Sequence, residues 1–453
     1  ARLREMQAWA PLMVFFARAA ALRAPRRARF GRRQSCAAVQ APRDWFSDTL
    51  GAPRHICAPM VDQSHLAFRT LVQRYGVDLC YTPMVLAKLA AISGPMGINY
   101  IQDNFSTKPG ERLIVQLAAS DPDLAERAAD AVLERAAKLG NDGGVLAFDV
   151  NLGCPQMIAS RGNYGAYLLE RDLERACAVV ERLSRSFGDV RCTAKVRLLG
   201  DAAASLEATS RLTAAGASLL TVHARTRHQN KQLSGFADWT RIPQVDENVP
   251  LVVNGGISCF SDVLRCRAET RAVAVMSSEA LLSNPALFVS NLDPRTGAYV
   301  TQRQLAKEYL AIARDEATNL GHVRGHVYKM LHGAVNTLKP VEGRRHVRDM
   351  LNDAKTLDDF EAVVDAVEEA DPEGATEPRD HTDSFDPKMS WYWRHRTVSE
   401  NGDDLADPEE KASKAQDRLK RRLSISLHRR QLAGAPARRL ARLTKESETE
   451  SLL

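Results

Sequence analysis

The chain of 453 residues is 44% hydrophobic and 26% charged, a mixture typical of globular proteins and long enough for two or three domains. It contains no run of about 18 uncharged apolar residues, which predicts that no segment spans a membrane. Its eight cysteines include no C-x-x-C pair. This pattern excludes a disulfide scaffold and a zinc ribbon, and it predicts free thiols in a reducing compartment.

The net charge of +6 is unevenly distributed. Residues 1–43 carry +9, residues 418–445 carry +10 and residues 446–453 carry −3, which leaves −10 for the body between residues 44 and 417. An acidic body between basic ends predicts that a polyanionic partner binds either a local basic patch on the body or the tails.

The N-terminal extension, residues 1–43, is rich in Ala and Arg and nearly free of acidic residues. This composition is typical of an organellar transit peptide, and a disordered extension is an equal alternative. The predicted compartment is therefore either the cytoplasm or an organelle.

The next predicted domain spans residues 44–300, and from residue 53 to residue 290 short apolar runs alternate with amphipathic, helix-like stretches. Several runs are continuously apolar, as expected of parallel strands buried on both faces. Eight strand–helix units in about 240 residues favour an α/β fold of the (β/α)8 TIM-barrel type. The predicted strands are His55–Met60, Asp78–Pro83, Leu113–Ala118, Val145–Asn151, Cys192–Val196, Leu219–His223, Leu251–Asn254 and Val273–Ser277, with helices at Asp121–Leu139, Asp172–Phe187 and Ser205–Ala214.

A small helical domain is predicted after the barrel, over residues 301–340. Its apolar spacing indicates two helices, Gln302–Asn319 and Val323–Leu338, with a break near Gly321.

A charged extension, residues 341–453, follows the helical domain. It contains one predicted helix near Leu357–Glu369 and a basic segment, residues 418–445. That segment is interpreted either as a basic helix or as a disordered tail.

Polar residues and glycines follow the ends of most predicted strands, where the active site of such a barrel lies. Segment 254–256 (Asn-Gly-Gly) exposes backbone N–H groups, as a phosphate-binding loop requires. Lys195 in a barrel mouth needs an anionic partner, and a reduced flavin provides one. Gln116 is expected to hydrogen-bond the polar ring edge of the flavin, and His223 to donate to a phosphate or ring oxygen.

Cys154 follows a glycine and precedes a proline just beyond the fourth predicted strand. This sequence places a thiol on a constrained turn over the barrel mouth. Because a free thiol has a pKa of about 8.5, it is protonated at neutral pH and can serve as a general acid. A buried structural cysteine is the common alternative.

Further motifs accompany Cys154 in a fixed order along the chain: Ala58–Asp62, Asn151–Leu168, Lys195–Arg197, Val222–Arg227, Ala237–Trp239, Val253–Ile257 and Asn284–Phe288. Together they resemble the tRNA-dihydrouridine synthase family over residues 53–335. The run from Pro155 to Ala166 and the segment Met276–Glu279 are most similar to the eukaryotic branch that modifies positions 16 and 17 of the tRNA D-loop.

The resemblance implies a reaction and a site. NADPH or NADH reduces bound FMN, hydride passes to C6 of a uracil, and Cys154 protonates C5. Asn151 and Arg197 orient the uracil edge, and no metal is expected, since no His/Cys/carboxylate cluster in the sequence suggests one. The residues implied to hold FMN are Pro59, Met60, Val61, Gln116, Lys195, His223, Asn254, Gly255, Gly256, Ser278 and Glu279.

The implied partner is tRNA. A uridine stacked in folded RNA must flip out to reach a barrel mouth, and binding then depends mainly on phosphates and RNA shape. Arg324, His326 and Lys329 of the helical domain are the candidate RNA contacts, with ordinary solvated charges as the alternative. The basic segment 418–445 is a further candidate for RNA affinity.

Two other functions stay open. One is an FMN barrel acting on a free small molecule, in the manner of dihydroorotate dehydrogenase. The other is a noncatalytic tRNA-binding protein that retains the barrel as a scaffold. The segment after Cys154 and the helical domain argue against the first, and the joint presence of Cys154, Lys195 and His223 argues against the second.

Overall fold

The structure is a computed structural model that describes residues 40–230, 234–338 and 341–371. The predictions made for residues 1–39 and for the basic segment 418–445 lie outside the described residues. Among the helices described, none is both long enough and apolar enough to cross a membrane.

The described residues form one parallel sheet of nine strands: β1 (His55–Cys57), β2 (Leu79–Tyr81), β3 (Val85–Leu86), β4 (Leu113–Ala118), β5 (Val145–Leu152), β6 (Arg191–Leu198), β7 (Leu220–Thr226), β8 (Leu251–Asn254) and β9 (Ala274–Ser277). Strand β2 pairs with both β1 and β4, so eight strands close into a cylinder. Strand β3 is a short addition beside β4. The predicted (β/α)8 barrel is confirmed, and each predicted strand is present.

The strands are buried on both faces, which explains their continuous apolar sequence. All residues of β4, β8 and β9 are buried. At the N-terminal end of the strands, Trp45 and Phe46 pack on an apolar interior layer that includes Ile56, Ile114 and Val252. This end of the cylinder is therefore a closed hydrophobic core.

Helices follow most of the strands and surround the barrel. Asp121, Asp172 and Asp201 each accept backbone N–H bonds at the start of a helix, as N-caps do. The predicted helices of this region occur with their ends shifted by a few residues at most. The elements are α1 (Pro42–Asp44), α2 (Leu66–Arg74), α3 (Ala87–Ala90), α4 (Pro95–Asn104), α5 (Pro122–Lys138), α6 (Met157–Gly162), α7 (Ala166–Arg171), α8 (Leu173–Ser186), α9 (Ala202–Ala214), α10 (Phe260–Thr270) and α11 (Glu279–Ser283), with a π-helical turn at Trp45–Thr49 and 3-10 turns at Trp239–Arg241 and Leu287–Val289.

Further helices after the barrel are α12 (Gln302–Asp315), α13 (Leu320–Met330), α14 (His332–Thr337), α15 (Val341–Asp353) and α16 (Leu357–Ala370). The helical region thus continues beyond residue 340, because α16 buries an apolar face that includes Phe360 and Val364. Arg314 of α12 pairs with Asp358 of α16 at 2.7 Å. The helix predicted at Val323–Leu338 is divided into α13 and α14.

The helical region shares one apolar core with the barrel. His326 of α13 is fully buried, with its ring 4.5 Å from that of Phe68 in α2 and 4.9 Å from that of Tyr309 in α12. The prediction that His326 contacts RNA is therefore wrong: its imidazole is part of the packing between the barrel and the helices. The hydroxyl of Tyr75 also donates to Glu308 of α12 at 2.7 Å.

Candidate active site at the barrel mouth

The C-terminal ends of the parallel strands, here called the barrel mouth, bring together polar side chains from β4 to β8. The sequence predicted that Gln116, Asn151, Lys195, Arg197, His223 and Asn254 surround one site. Asp149 was not among the predicted residues. Strand register places them side by side in the pairs Gln116–Asp149, Asn151–Lys195, Arg197–His223 and His223–Asn254.

Cys154 lies in a tight turn that follows β5. Asn151 Oδ1 accepts the backbone N–H groups of Gly153 and Cys154, at 3.1 and 3.0 Å. Gly165 packs against this turn with a φ of +68°, and a Cβ there would lie 2.7 Å from the carbonyl oxygen of Cys154. Position 165 therefore requires glycine, and backbone contacts set the position of the thiol.

The Cys154 thiol is partly buried and packs against a cluster that contains Tyr164 and Tyr167. Burial raises the pKa of the thiol, and the nearby charges of Arg197 and Lys195 oppose that rise. The thiol is consequently protonated at neutral pH, and the two cations stabilise the thiolate once the proton has left.

A chain of hydrogen bonds connects the barrel interior with the Cys154 turn. The fully buried Asp149 accepts from Gln116 Nε2 at 2.8 Å and from Thr193 Oγ1 at 2.7 Å. Asn151 Nδ2 donates to Gln116 Oε1 at 2.9 Å. Because Asn151 also accepts from the turn, the chain holds the amides of Gln116 and Asn151 in one orientation.

Asp149 is a site residue that the sequence patterns did not single out. Burial raises the pKa of its carboxyl group to about 6, while the bonds from Gln116 and Thr193 and the charge of Lys195 act in the opposite direction. The signal that could have revealed it is an acidic residue two positions before Asn151 in an apolar strand, since alternate residues of a strand face one side.

Lys195 presents an ammonium group whose Nζ, within the described residues, makes no hydrogen bond and no ion pair. Burial lowers the pKa of Lys195 to about 8, Arg197 adds to the lowering, and Asp149 opposes it. The group is still mainly protonated at neutral pH, so the mouth offers a positive charge that an anionic ligand would satisfy.

Arg197 connects two loops at the mouth. Its Nε donates to the Gly153 carbonyl at 2.9 Å, and its Nη1 donates to the carbonyls of Thr226 and Gln229 at 3.0 and 3.2 Å. Burial lowers the pKa of the guanidinium to about 10, and Arg225 adds to this effect. Arg197 therefore supports the Cys154 turn, and its Nη2 has no partner among the described residues.

The turn after β8 requires its two glycines. Gly255 and Gly256 have φ values of +92° and +81°, and a Cβ on Gly255 would lie 2.6 Å from the His223 ring. Neither glycine N–H donates to another group in the described chain. The Asn254 amide donates to a carbonyl of β9 at 2.8 Å, so its side chain supports the turn.

The other predicted cofactor residues lie in the loops after β1 and β9, two strands that pair with each other. Pro59, Met60 and Val61 follow β1, and the Val61 side chain is exposed. Ser278 directly precedes α11, and Glu279 is the first residue of that helix. The structure thus places all of the predicted cofactor residues at one end of the barrel.

The two remaining residues that were predicted to contact RNA, Arg324 and Lys329, both form hydrogen bonds within the protein. The Arg324 guanidinium donates to the Ala354 carbonyl and lies 5.7 Å from the centre of the Phe360 ring. Lys329 Nζ donates to Gln63 Oε1 at 3.1 Å. Lys329 therefore joins α13 to the loop after β1.

Comparison with known proteins finds one matching family model, relatives of similar sequence and solved structures that align with part of the chain. Residues 56–371 match the family model described as dihydrouridine synthase (Dus). A Mus musculus protein named tRNA-dihydrouridine(16/17) synthase, NAD(P)(+)-like, is 37% identical over 358 residues, covering 77% of this chain and 69% of its own length. The tRNA-dihydrouridine(16/17) synthase of Saccharomyces cerevisiae is 34% identical over 368 residues, covering 78% and 82%. Among solved structures, morphinone reductase in complex with tetrahydroNAD aligns with a TM-score of 0.35 and 13% identity, over 52% of this chain and 85% of that one.

Proposed function

This chain belongs to the dihydrouridine synthase family, and on that premise we propose that it reduces uridine to 5,6-dihydrouridine at positions 16 and 17 of the tRNA D-loop. The reaction uses a flavin and NAD(P)H. The observation that carries the proposal is the Cys154 thiol, held by backbone contacts beside a mouth in which the Lys195 ammonium has no partner from the described part of the chain. These two groups are the proton donor and the anion-binding charge that such a reduction needs.

The residues of the mouth fit a flavin, and we propose that it is FMN. The Lys195 charge suits the electron-rich pyrimidine edge of the ring. The N–H groups of Gly255 and Gly256, which donate to no other group among residues 40–230, 234–338 and 341–371, suit a single terminal phosphate. When bound and reduced, this group supplies the hydride that adds to C6 of uracil. The residues that would hold it are Pro59, Met60, Val61, Gln116, Lys195, His223, Asn254, Gly255, Gly256, Ser278 and Glu279.

Cys154 acts as the general acid in this proposal. Hydride addition at C6 leaves negative charge at C5 and O4 of the uracil, so C5 needs a proton. Burial keeps the Cys154 thiol protonated until that point, and Arg197 and Lys195 then stabilise the thiolate. Asn151, oriented by Gln116, orients the uracil edge together with Arg197, whose Nη2 bonds to none of the residues that the structure describes.

The tRNA must present its uridine extruded, because a stacked base cannot enter the mouth. We infer that the helical region α12–α16 contacts the rest of the tRNA, since Lys329 connects it to the loop after β1. Helix α15 adds exposed arginines, Arg345 and Arg348, of which Arg348 donates to Asn336 at 2.7 Å. Phosphate contacts of this kind predict tRNA affinity that decreases as salt increases.

The test is position-resolved nucleoside mass spectrometry of tRNA from cells that lack the protein and are complemented with wild type, Cys154→Ala or Cys177→Ala. We expect Cys154→Ala to lose the two-hydrogen mass increment at the D-loop uridines, with a rate about 10²–10⁴-fold lower in vitro, because the general acid is gone. Cys177 is a partly exposed cysteine on α8, away from the mouth, so Cys177→Ala should behave as wild type.

Each alternative function has its own outcome, either in this experiment or in a flavin-oxidation assay with tRNA and free pyrimidines as the substrates. Unchanged dihydrouridine levels in Cys154→Ala with tRNA binding intact would favour the noncatalytic tRNA-binding protein. Oxidation of the reduced flavin by free pyrimidines but not by tRNA would favour the small-molecule enzyme. Flavin absorbance that is equal in all three proteins shows that the barrel is folded.

A further inference from the structure

A second cluster of chemically active side chains lies between the loop after β1 and helix α13. It consists of Asp62, His65 and His322, which each offer one ligand-type atom, and these three atoms all lie within 4.8 Å of one another. Asp62 and His65 belong to the barrel and His322 to the helical region. Because His322 is distant in sequence from Asp62 and His65, ligand spacing along the chain does not reveal the cluster of three.

The His65 ring contains a buried nitrogen, Nε2, that has no hydrogen-bond partner in the described residues. The His65 ring stacks on the His322 ring with 3.6 Å between centroids, and His322 Nε2 lies 3.9 Å from Asp62 Oδ1. A buried nitrogen without a partner is unfavourable, and it commonly indicates an ion or water that completes the site.

Asp62 is held in an unusual backbone conformation beside these rings. Its φ is +57°, which is rare for a residue other than glycine. The N–H groups of Gln63 and Ser64 both donate to the Met60 carbonyl, at 3.2 and 3.1 Å, so the turn around Asp62 is closed by hydrogen bonds. The strained residue is the one that brings a carboxylate to the two imidazoles.

The neighbouring cations are occupied with other partners. Arg69 pairs with Glu111 at 2.7 Å, and Lys329 donates to Gln63. Imidazole binds metals in its neutral form, and a histidine with the ordinary pKa of about 6.5 is mainly neutral at physiological pH.

We propose that Asp62, His65 and His322 bind a divalent transition-metal ion of the Zn²⁺ class, which ties the loop after β1 to helix α13. Two imidazoles and one carboxylate suit Zn²⁺, Co²⁺ or Ni²⁺, whereas Mg²⁺ and Ca²⁺ prefer oxygen ligands alone. Imidazole lone pairs lie in the ring plane, so the stacked rings must tilt apart on binding. His322 is partly exposed and is the ring that has room to rotate.

The experiment uses full-length, tag-free, flavin-loaded protein that has been treated with chelator and dialysed, with Zn²⁺ as the probe. Binding is measured by isothermal titration calorimetry, and the ligands are identified by X-ray absorption at the zinc edge. We expect one Zn²⁺ with an N/O shell at about 2.0–2.2 Å and imidazole outer-shell scattering. Zn²⁺ should also raise the melting temperature by a few degrees, because it binds the folded chain.

Variants separate this site from other zinc-binding groups. His322→Ala should weaken Zn²⁺ binding by about a hundredfold or more, and Asp62→Asn, which keeps an oxygen ligand but not the charge, by about tenfold. His346→Ala is the matched control, since His346 is an exposed histidine on α15. Asp62 is largely exposed, so Asp62→Asn leaves the fold intact.

Three results would overturn the proposal: no stoichiometric binding at micromolar Zn²⁺, a sulfur shell at about 2.3 Å from cysteine ligands, or binding that is equal in wild type, His322→Ala and Asp62→Asn.

Discussion

The two ends of the barrel interior use the same strands for different purposes. On β4, Ile114 lies in the apolar closed end, and Gln116, two residues later, lies at the mouth. On β5, Ala147 belongs to the closed end, whereas Asp149 and Asn151 belong to the mouth. Residues two apart in a strand face the same side, so a single strand contributes interior residues to both ends of the barrel. The residues that stabilise the core and the residues of the candidate site therefore lie at different positions along the same strand, rather than on different strands.

The two ends also differ in the free-energy cost of burial. The closed end buries apolar side chains around Trp45, which is favourable without any specific partner. The mouth buries Asp149 and partly buries Lys195 and Arg197, and charges removed from water are unfavourable unless other groups satisfy them. Substitutions at the closed end should therefore change stability, and substitutions at the mouth should change ligand binding, pH dependence and catalysis.

The largest expected effect is at the closed end. Trp45 is 1% exposed, so Trp45→Ala should lower the free energy of unfolding by about 3–5 kcal/mol through lost burial and a cavity. Trp45 Nε1 is buried without a partner in the described residues, so Trp45→Phe is the matched control and should cost far less. Urea unfolding followed by circular dichroism measures both variants. Equal losses in the two would contradict a closed end stabilised by apolar packing.

The next-largest expected effect is the change with pH in the free energy of unfolding that the Asp149 carboxyl group causes. Burial raises the pKa of this carboxyl from its ordinary value of 3.8 to about 6, so the folded chain keeps a proton that the unfolded chain releases. The stability that Asp149 contributes is therefore present below about pH 4 and is lost as pH rises to about 6. Relative to Asp149→Asn, the wild type should lose about 2–3 kcal/mol of unfolding free energy between pH 4 and pH 7.

This comparison is made by urea unfolding of both proteins across that pH range, since other titrating groups cancel in the difference. A difference that does not change with pH would show that Asp149 titrates normally and that its burial is compensated by Gln116 and Thr193.

A smaller effect is expected at the glycine turn of the mouth. Gly255→Ala places a Cβ against the His223 ring and forces a positive φ on alanine, which costs about 1–2 kcal/mol. We expect about tenfold weaker flavin binding, measured by fluorescence titration. Gly188→Ala is the control, because nothing lies within 4 Å of the added carbon. Equal flavin affinity in both variants would remove this turn from the proposed phosphate site.

Local sequence patterns were sufficient for much of the architecture. The continuously apolar run Leu113–Ala118 predicts a buried strand, and β4 has the same bounds. Cys154 was predicted to lie on a constrained turn because Gly and Pro flank it, and the turn is present. The partners of Asp149 could not be predicted, because they come from β4 and β6 and depend on how neighbouring strands align.

The sequence by itself determined where the strands and most helices lie and which polar residues stand at the strand ends, because these features depend on patterns only a few residues long. Only the tertiary structure decided that His326 is interior, that Arg197 bonds to backbone carbonyls, and that His65 meets His322. Those contacts depend on the closure of the barrel and on the packing of α13 against it. Both bring together residues that no short-range pattern connects.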